Sequence, residues 1–272
     1  MPEVPAAKKS LGQHWLNDAA ALASICEAGN VTQDDAVLEI GPGTGTLTEL
    51  LVRRAKQVVA VEFDERLAAQ LARRVPAANL EVVHQDILRF DLGRLPADYK
   101  VVANIPYYLT SNLIRILSET PNQAARIVLL IQKEVAQRVA AGPGRMSLLS
   151  VSAQLYWQVS LGPVIPARLF VPPPKVDSQV LILQRPGELM FGAEDRTQLL
   201  QLAKAGFASR RKTLLNSLAG GLRIEKEQIR RILIKAGIQP SRRAQTLSLN
   251  EWHLLAKTLD SELSHESPAP SK

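Results

Sequence analysis

Cysteine is almost missing from this 272-residue chain: Cys26 stands alone. That excludes an intramolecular disulfide framework and any thiol-rich zinc site, and makes the reducing cytoplasm the expected compartment. Histidine is scarce as well. His14, His84, His253 and His265 fall at no ligand spacing and in no Ser-His-Asp order, so metal and triad chemistries lack support and no metal is expected. Long apolar runs are also absent. No stretch approaches the ~20 apolar residues of a membrane span, and Lys8, Lys9, Gln13 and His14 interrupt the N-terminus where a signal core would lie, so no membrane partner is expected. Still, 46% of the residues are apolar, enough for one large α/β domain and a small one.

Acidic residues are in deficit, 26 against 33 Lys and Arg. The deficit is uneven: residues 1–185 hold 19 basic and 17 acidic side chains, residues 186–272 hold 14 and 9, and the stretch from Lys204 to Arg243 holds 11 and 2. Solvated helix faces balance their charges more evenly. A polyanion is the better partner for such a segment, and RNA or DNA is the polyanion to expect.

The chain is organised around residues 36–47, AVLEIGPGTGTL. Val37 to Ile40 reads as a buried strand that breaks into Gly41, Gly43 and Gly45 before a helical pattern resumes at Leu47. Glycine tolerates positive φ and lets a ligand lie on bare backbone, and the helix start adds unpaired N–H groups. A dinucleotide fingerprint needs glycine again at the sixth position, which is Thr46, so a pyrophosphate ligand is disfavoured. The spacing behind Glu39 resembles instead the S-adenosylmethionine loop of Rossmann-like methyltransferases. On the loop alone, a glycine-rich turn holding no ligand stays open.

Strands then alternate with helices: 58–61 ending on Glu62, a helix 65–74, strand 80–83 with Asp86 just beyond, strand 101–103 running into Asn104-Ile105-Pro106-Tyr107, a helix 111–119 and strand 127–131. Such alternation predicts a parallel sheet with ligands gathered at the strands' carboxyl ends. Gly41, Glu62, Asp86 and Asn104 all fall at such ends. Helices are expected over 133–140 and 147–155, and paired strands over 158–164 and 176–183 around the proline-held loop 170–175. A linker follows at 184–187. Beyond it the pattern is all helix, over 195–207, 211–218, 225–236 and 250–259, the last opened by a Ser248…Glu251 capping box. The expected organisation is a Rossmann-like domain, 1–185, whose residues 1–17 form an arm contacting cofactor and RNA, then a basic helical domain, 186–263, and a disordered tail, 264–272.

The tetrapeptide at 104–107 suits methylation of an aromatic amine. The lone pair of such an amine is delocalised into its ring, and two acceptors, the Asn104 side-chain oxygen and the Ile105 carbonyl, can take its two N–H groups and turn the lone pair toward a methyl donor. Pro106 fixes the turn and Tyr107 stacks on the base. No general base is required, because the proton can leave after transfer. Phe170 offers a second stacking face, with a core role as the alternative.

These residues resemble a family. KSLGQHWLN (9–17), EIGPGTG (39–45), 61–64, Gln85-Asp86, 104–107, FVPPPKVDS (170–178) and FASRRKTLLNSL (207–218) together are similar to the ribosomal RNA adenine N6-dimethyltransferases of the KsgA/RsmA type, over about residues 8–259. The resemblance implies a class I S-adenosylmethionine-dependent fold with a small all-α C-terminal domain. It also implies dimethylation of two adjacent adenosines in the 3′-terminal hairpin of small-subunit rRNA, late in subunit assembly. A monomer is expected. Carried over by position, His14 and Leu16 close over the cofactor, Gly41 lines it, Glu62 holds its ribose, Asp86 meets its adenine, and Asn104 faces methyl and amine. Arg210, Arg211 and Lys212 are expected on the RNA. His14 and Tyr108 stand where many members have Asn. The alternatives are a large-subunit resistance methyltransferase and a non-catalytic RNA-binding accessory protein.

Overall fold

Val37, Leu38 and Ile40 are each at most 2% exposed, and a run this short and apolar, cut off by glycines, is buried on both faces as a central strand. The structure is a computed structural model describing residues 12–209 and 211–266, with side chains for all of these except 265 and 266. Residues 1–11 of the expected arm, Arg210, and residues 267–272 of the expected tail lie outside it.

In chain order the first elements are β1 (Trp15–Leu16), α1 (Ala19–Gly29), β2 (Ala36–Ile40), α2 (Thr46–Leu51), β3 (Gln57–Glu62), α3 (Glu65–Arg74), β4 (Leu80–His84) and β5 (Lys100–Asn104). There follow α4 (Thr110–Glu119), β6 (Arg126–Gln132), α5 (Lys133–Val139), α6 (Leu148–Gln154), β7 (Gln158–Ile165), β8 (Phe170–Val171) and β9 (Ser178–Gln184). Seven strands make one Rossmann-like sheet in the order β4-β3-β2-β5-β6-β9-β7. Its first five strands run parallel, β9 runs antiparallel to β6, and β7, antiparallel to β9, returns to the direction of the first five. From β2 the chain winds outward through β3 and β4, then returns to lay β5 along the other side of β2. Between β2 and β5 the strand order therefore reverses, which opens a crevice at their carboxyl ends.

Local chemistry sets the helix ends. Asp18 caps α1 by accepting the Ala21 N–H at 2.8 Å, and Asn30 closes the helix in the left-handed region at φ 47°. Ile25 and Cys26 of α1 pack on Val37, Val102, Val128 and Val180. Burial pushes the Cys26 thiol up, so the lone cysteine is a packing group rather than a nucleophile.

Contacts divide the chain into two units, residues 1–137 with 157–186, and residues 138–156 with 187–272. The second unit adds α7 (Ala193–Phe207), α8 (Leu214–Leu222), α9 (Lys226–Lys235) and α10 (Leu249–Glu266). This corrects the sequence boundary: residues 138–156 belong with the helices, because Met146, Val151 and Leu155 are buried against a cluster that includes Leu199, Leu214 and Trp252. The charge division sharpens accordingly. The second unit carries 16 Lys and Arg against 9 Asp and Glu, the whole net +7, while the first is balanced at 17 and 17.

Two helix ends also differ from expectation. α8 starts after Thr213 and continues through Gly220 and Gly221, because Gly221 lies against α7, where a Cβ would come within 2.9 Å of the Ala205 Cβ. α10 runs to Glu266, past the expected tail start at 264. Its last turns are held by a 2.6 Å pair between Lys235 and Glu262. The Ser248–Glu251 capping box is formed, with Ser248 N–H donating to Glu251 Oε2 at 2.8 Å and Glu251 N–H to Ser248 Oγ at 3.2 Å. Among the described residues, no helix is long and apolar enough to cross a membrane.

Candidate active site

Within the first unit a cavity of about 310 Å³ opens at the carboxyl ends of β2, β3 and β5. It brings together His14, Leu16, Gly41, Glu62, Asp86, Asn104, Pro106, Tyr107 and Phe170, nine residues singled out by sequence. Arg211 and Lys212 are exposed in the second unit and do not line it.

The loop after β2 takes positive φ at Gly41 (65°) and Gly43 (58°). At Gly43 a Cβ would also meet the Trp15 ring at 2.6 Å, so only glycine lets the N-terminal segment lie on the loop. That segment is held from several sides. Trp15 and Leu16 pair as β1 with Val171 and Phe170 of β8, Thr46 Oγ1 donates to Leu16 O at 2.9 Å, and His14 Nδ1 donates to Pro172 O at 2.7 Å.

Glu62, 6% exposed, receives Gly43 N–H on Oε2 at 3.1 Å and Asp64 N–H on Oε1 at 2.8 Å. Burial raises its pKa against the lowering effect of these donors. Both oxygens are thus fixed in direction and keep a lone pair for a neighbouring diol. Asp86 uses Oδ1 to cap the turn at 87–89 through Leu88 N–H at 3.0 Å. Glu39 lies below the loop, 1% exposed, with Oε2 unpartnered. Burial, opposed by Thr48 and reinforced by the Glu62 charge, takes its pKa to about 8.

Asn104 ends β5 and donates from Nδ2 to His14 O at 3.5 Å, which turns its oxygen away from that contact. Tyr107 is half-buried, its hydroxyl 2.9 Å from Ser178 Oγ and its ring stacked on His14 at 6.2 Å. Phe170 is 2% exposed and packs in the core with Leu16 and Ile165, the alternative weighed for it, while one side still lines the cavity. Tyr108, at 62% exposed, offers a stacking face at the cavity rim, with Phe63 and Leu88. The sequence marked Tyr108 only as a departure from the family pattern, and gave Trp15 and Glu39 no role of their own. Tyr108 carried a signal, an aromatic following the tetrapeptide, whereas Trp15 over Gly43 depends on a long-range approach that no local pattern announces.

The lining has a distinctive electrostatic character. Of the residues forming it, three are carboxylic acids, Glu39, Glu62 and Asp86, and none is Lys or Arg. A pyrophosphate would be repelled there. A nucleoside that carries no phosphate escapes that repulsion, and a positive charge on it would be attracted by the carboxylates. Among the described residues, no cluster of three or more His, Cys, Asp or Glu side chains could hold a metal ion.

Comparison with known proteins agrees with this chemistry. The profile of the family described as ribosomal RNA adenine dimethylase matches residues 4–261. A ribosomal RNA small subunit methyltransferase A of Dehalococcoides mccartyi is 42% identical over 253 residues, covering 92% of this chain and 87% of the relative. Among solved structures, a dimethyladenosine transferase from Plasmodium falciparum superposes with TM-score 0.79 at 27% identity, covering 92% of this chain and 98% of the other. The 23S rRNA methyltransferase ErmE superposes with TM-score 0.73 at 29% identity, covering 90% and 99%.

Proposed function

The chain belongs to the ribosomal RNA adenine dimethylase family, and on that premise we propose that it transfers methyl groups from S-adenosylmethionine to the N6 amines of two adjacent adenosines in the 3′-terminal hairpin of small-subunit rRNA. The observation that carries this reading is the acidic, arginine- and lysine-free cavity beside Asn104 at the β2/β5 switch point. Bound there, S-adenosylmethionine supplies an electrophilic methyl on a sulfonium. Gly41 and the loop around it give its amino-acid end bare backbone, Glu62 accepts its ribose hydroxyls, Asp86 accepts from its adenine, and His14 and Leu16 close the cavity.

The rest of the chemistry falls to this chain's residues. With Nδ2 directed at His14 O, Asn104 has Oδ1 free to accept one N–H of the target amine, and Ile105 O accepts the other. The two acceptors draw the nitrogen toward tetrahedral geometry. Attack by that nitrogen would form the N–C bond as the sulfonium's C–S bond breaks and a neutral thioether leaves, and the surplus proton would then pass from the nitrogen to water. Pro106 sets the turn, and Tyr107, fixed by Ser178 and His14, stands next to Tyr108, one of two exposed aromatic rings at the rim with Phe63. The second unit, with the entire net charge, supplies electrostatic attraction to RNA, with Arg211 and Lys212 among its exposed cations. On the same reading the chain acts as a monomer in the cytoplasm, on small subunits late in assembly, and without a metal.

The test is transfer of labelled methyl groups to purified under-methylated small and large ribosomal subunits, with the product nucleosides separated. N6,N6-dimethyladenosine from small-subunit rRNA is the expected product. Label confined to large subunits, or to neither, overturns the proposal.

A further inference from the structure

The second unit holds a recess of about 140 Å³ that methyl transfer does not use, lined by Arg138, Arg145, Ser147, Phe207 and Gln245 among others. Both arginines are exposed, and neither forms an ion pair or side-chain hydrogen bond among the described residues. Elsewhere in the unit Arg230, Lys235, Arg242 and Lys257 pair with carboxylates, whereas these two guanidinium groups line the same recess with no carboxylate in its walls. The walls are firmly built. Gly144 and Met146 N–H donate to Gln245 O at 2.9 and 3.2 Å, which ties the turn bearing Arg145 to the segment bearing Gln245. Ser150 Oγ donates to Arg138 O at 2.8 Å, and Gln154 Nε2 donates to Val139 and Ala141 O at 2.8 and 3.0 Å. Phe207 is half-buried, leaning on Trp252 with ring centroids 5.8 Å apart.

We propose that this recess takes one unstacked nucleotide of the RNA substrate, its phosphate between Arg138 and Arg145 and its base against Phe207, with the Gln245 amide at the base edge. The inference rests on the RNA reading above and adds a second point of attachment, distinct from the cavity beside Asn104. Two unpaired guanidinium forks suit a phosphodiester, and the partly open aromatic ring between a charged rim and an amide suits a base. The room is that of one heterocycle rather than of a duplex groove. A preorganised pocket of this kind holds a structured RNA in register while the reactive base is presented elsewhere.

The experiment is equilibrium binding of the full-length chain to purified under-methylated small subunits at several salt concentrations, with thermal midpoints measured in parallel. R138A/R145A should raise Kd about tenfold and flatten the slope of log K against log salt by about 0.7, the share of one single-stranded phosphate. Phe207→Leu keeps an apolar group against Trp252 and should raise Kd about fivefold or more with the slope intact, whereas Phe207→Tyr should restore wild-type binding. Wild-type Kd in either R138A/R145A or Phe207→Leu, at an unchanged midpoint, overturns the proposal. Because binding is read without methyl transfer, a wild-type chain that binds subunits yet labels none would overturn the activity assignment alone, and the recess would still be tested.

Discussion

Glu39 offers a quantitative check on the electrostatics under the glycine loop. Its side chain is 1% exposed, Oε2 has no hydrogen-bond partner, and its pKa rises from 4.5 to about 8, chiefly through burial. The folded state therefore keeps a proton that the unfolded chain releases near pH 4.5. Stability from this group is full below about pH 4.5, declines as pH rises by at most about 1.4 kcal/mol per unit, and levels off above about pH 8. Across that window the loss is on the order of 4 kcal/mol. Glu39→Gln keeps the shape and cannot titrate. Its amide introduces a constant offset of about 1–3 kcal/mol from imperfect hydrogen bonding, but no slope. Urea unfolding of both proteins without cofactor at pH 5, 6, 7 and 8 isolates the effect, since the other titrating groups are common to both and cancel. The wild-type advantage over Glu39→Gln should shrink by several kcal/mol from pH 5 to pH 8. Parallel curves would refute the reasoning and mean that Glu39 ionises normally in the folded protein.

Three further outcomes follow from the site. Asn104→Ala should lower kcat about 10²- to 10³-fold while the KM for S-adenosylmethionine moves only a few-fold, because the lost acceptor acts on the amine; an unchanged kcat removes Asn104 from the chemistry. Gly43→Ala should cost about 1–2 kcal/mol for the positive φ alone and also displace Trp15, so both the unfolding midpoint and cofactor affinity should fall; a variant that binds cofactor like wild type shows that Trp15 does not close the loop. Charge reversal at Arg210, Arg211 and Lys212 together should weaken subunit binding and flatten its salt dependence, and an unaltered slope would mean that the cluster faces away from RNA.

What could be read from sequence here had local causes. Strand β2, the glycine turn and α2 follow from an apolar run broken by residues that tolerate positive φ, and Glu62, Asp86 and Asn104 stand out because each ends or closely follows a recognisable strand. The capping box at Ser248 and Glu251 is likewise written within four residues. The alternation of elements sets the sheet, and the sheet sets the crevice.

The remainder depends on contacts between distant segments. β1 and β8 are two residues each, too short to show a period, and exist because Trp15 and Leu16 meet Val171 and Phe170. The same pairing buries Phe170, while Tyr108 and Phe63 stay exposed at the rim. Residues 138–156 read as an ordinary continuation of the first domain until their apolar side chains find Leu199, Leu214 and Trp252, and only that grouping puts the whole net charge on one unit. Glu39 looks like any strand glutamate until burial on both faces of β2 and the nearness of Glu62 hold its proton. Periodicity and turn chemistry are properties of neighbouring residues and so are carried by the sequence itself; burial, close approach and charge environment are sums over the whole fold, and tertiary structure alone decides them.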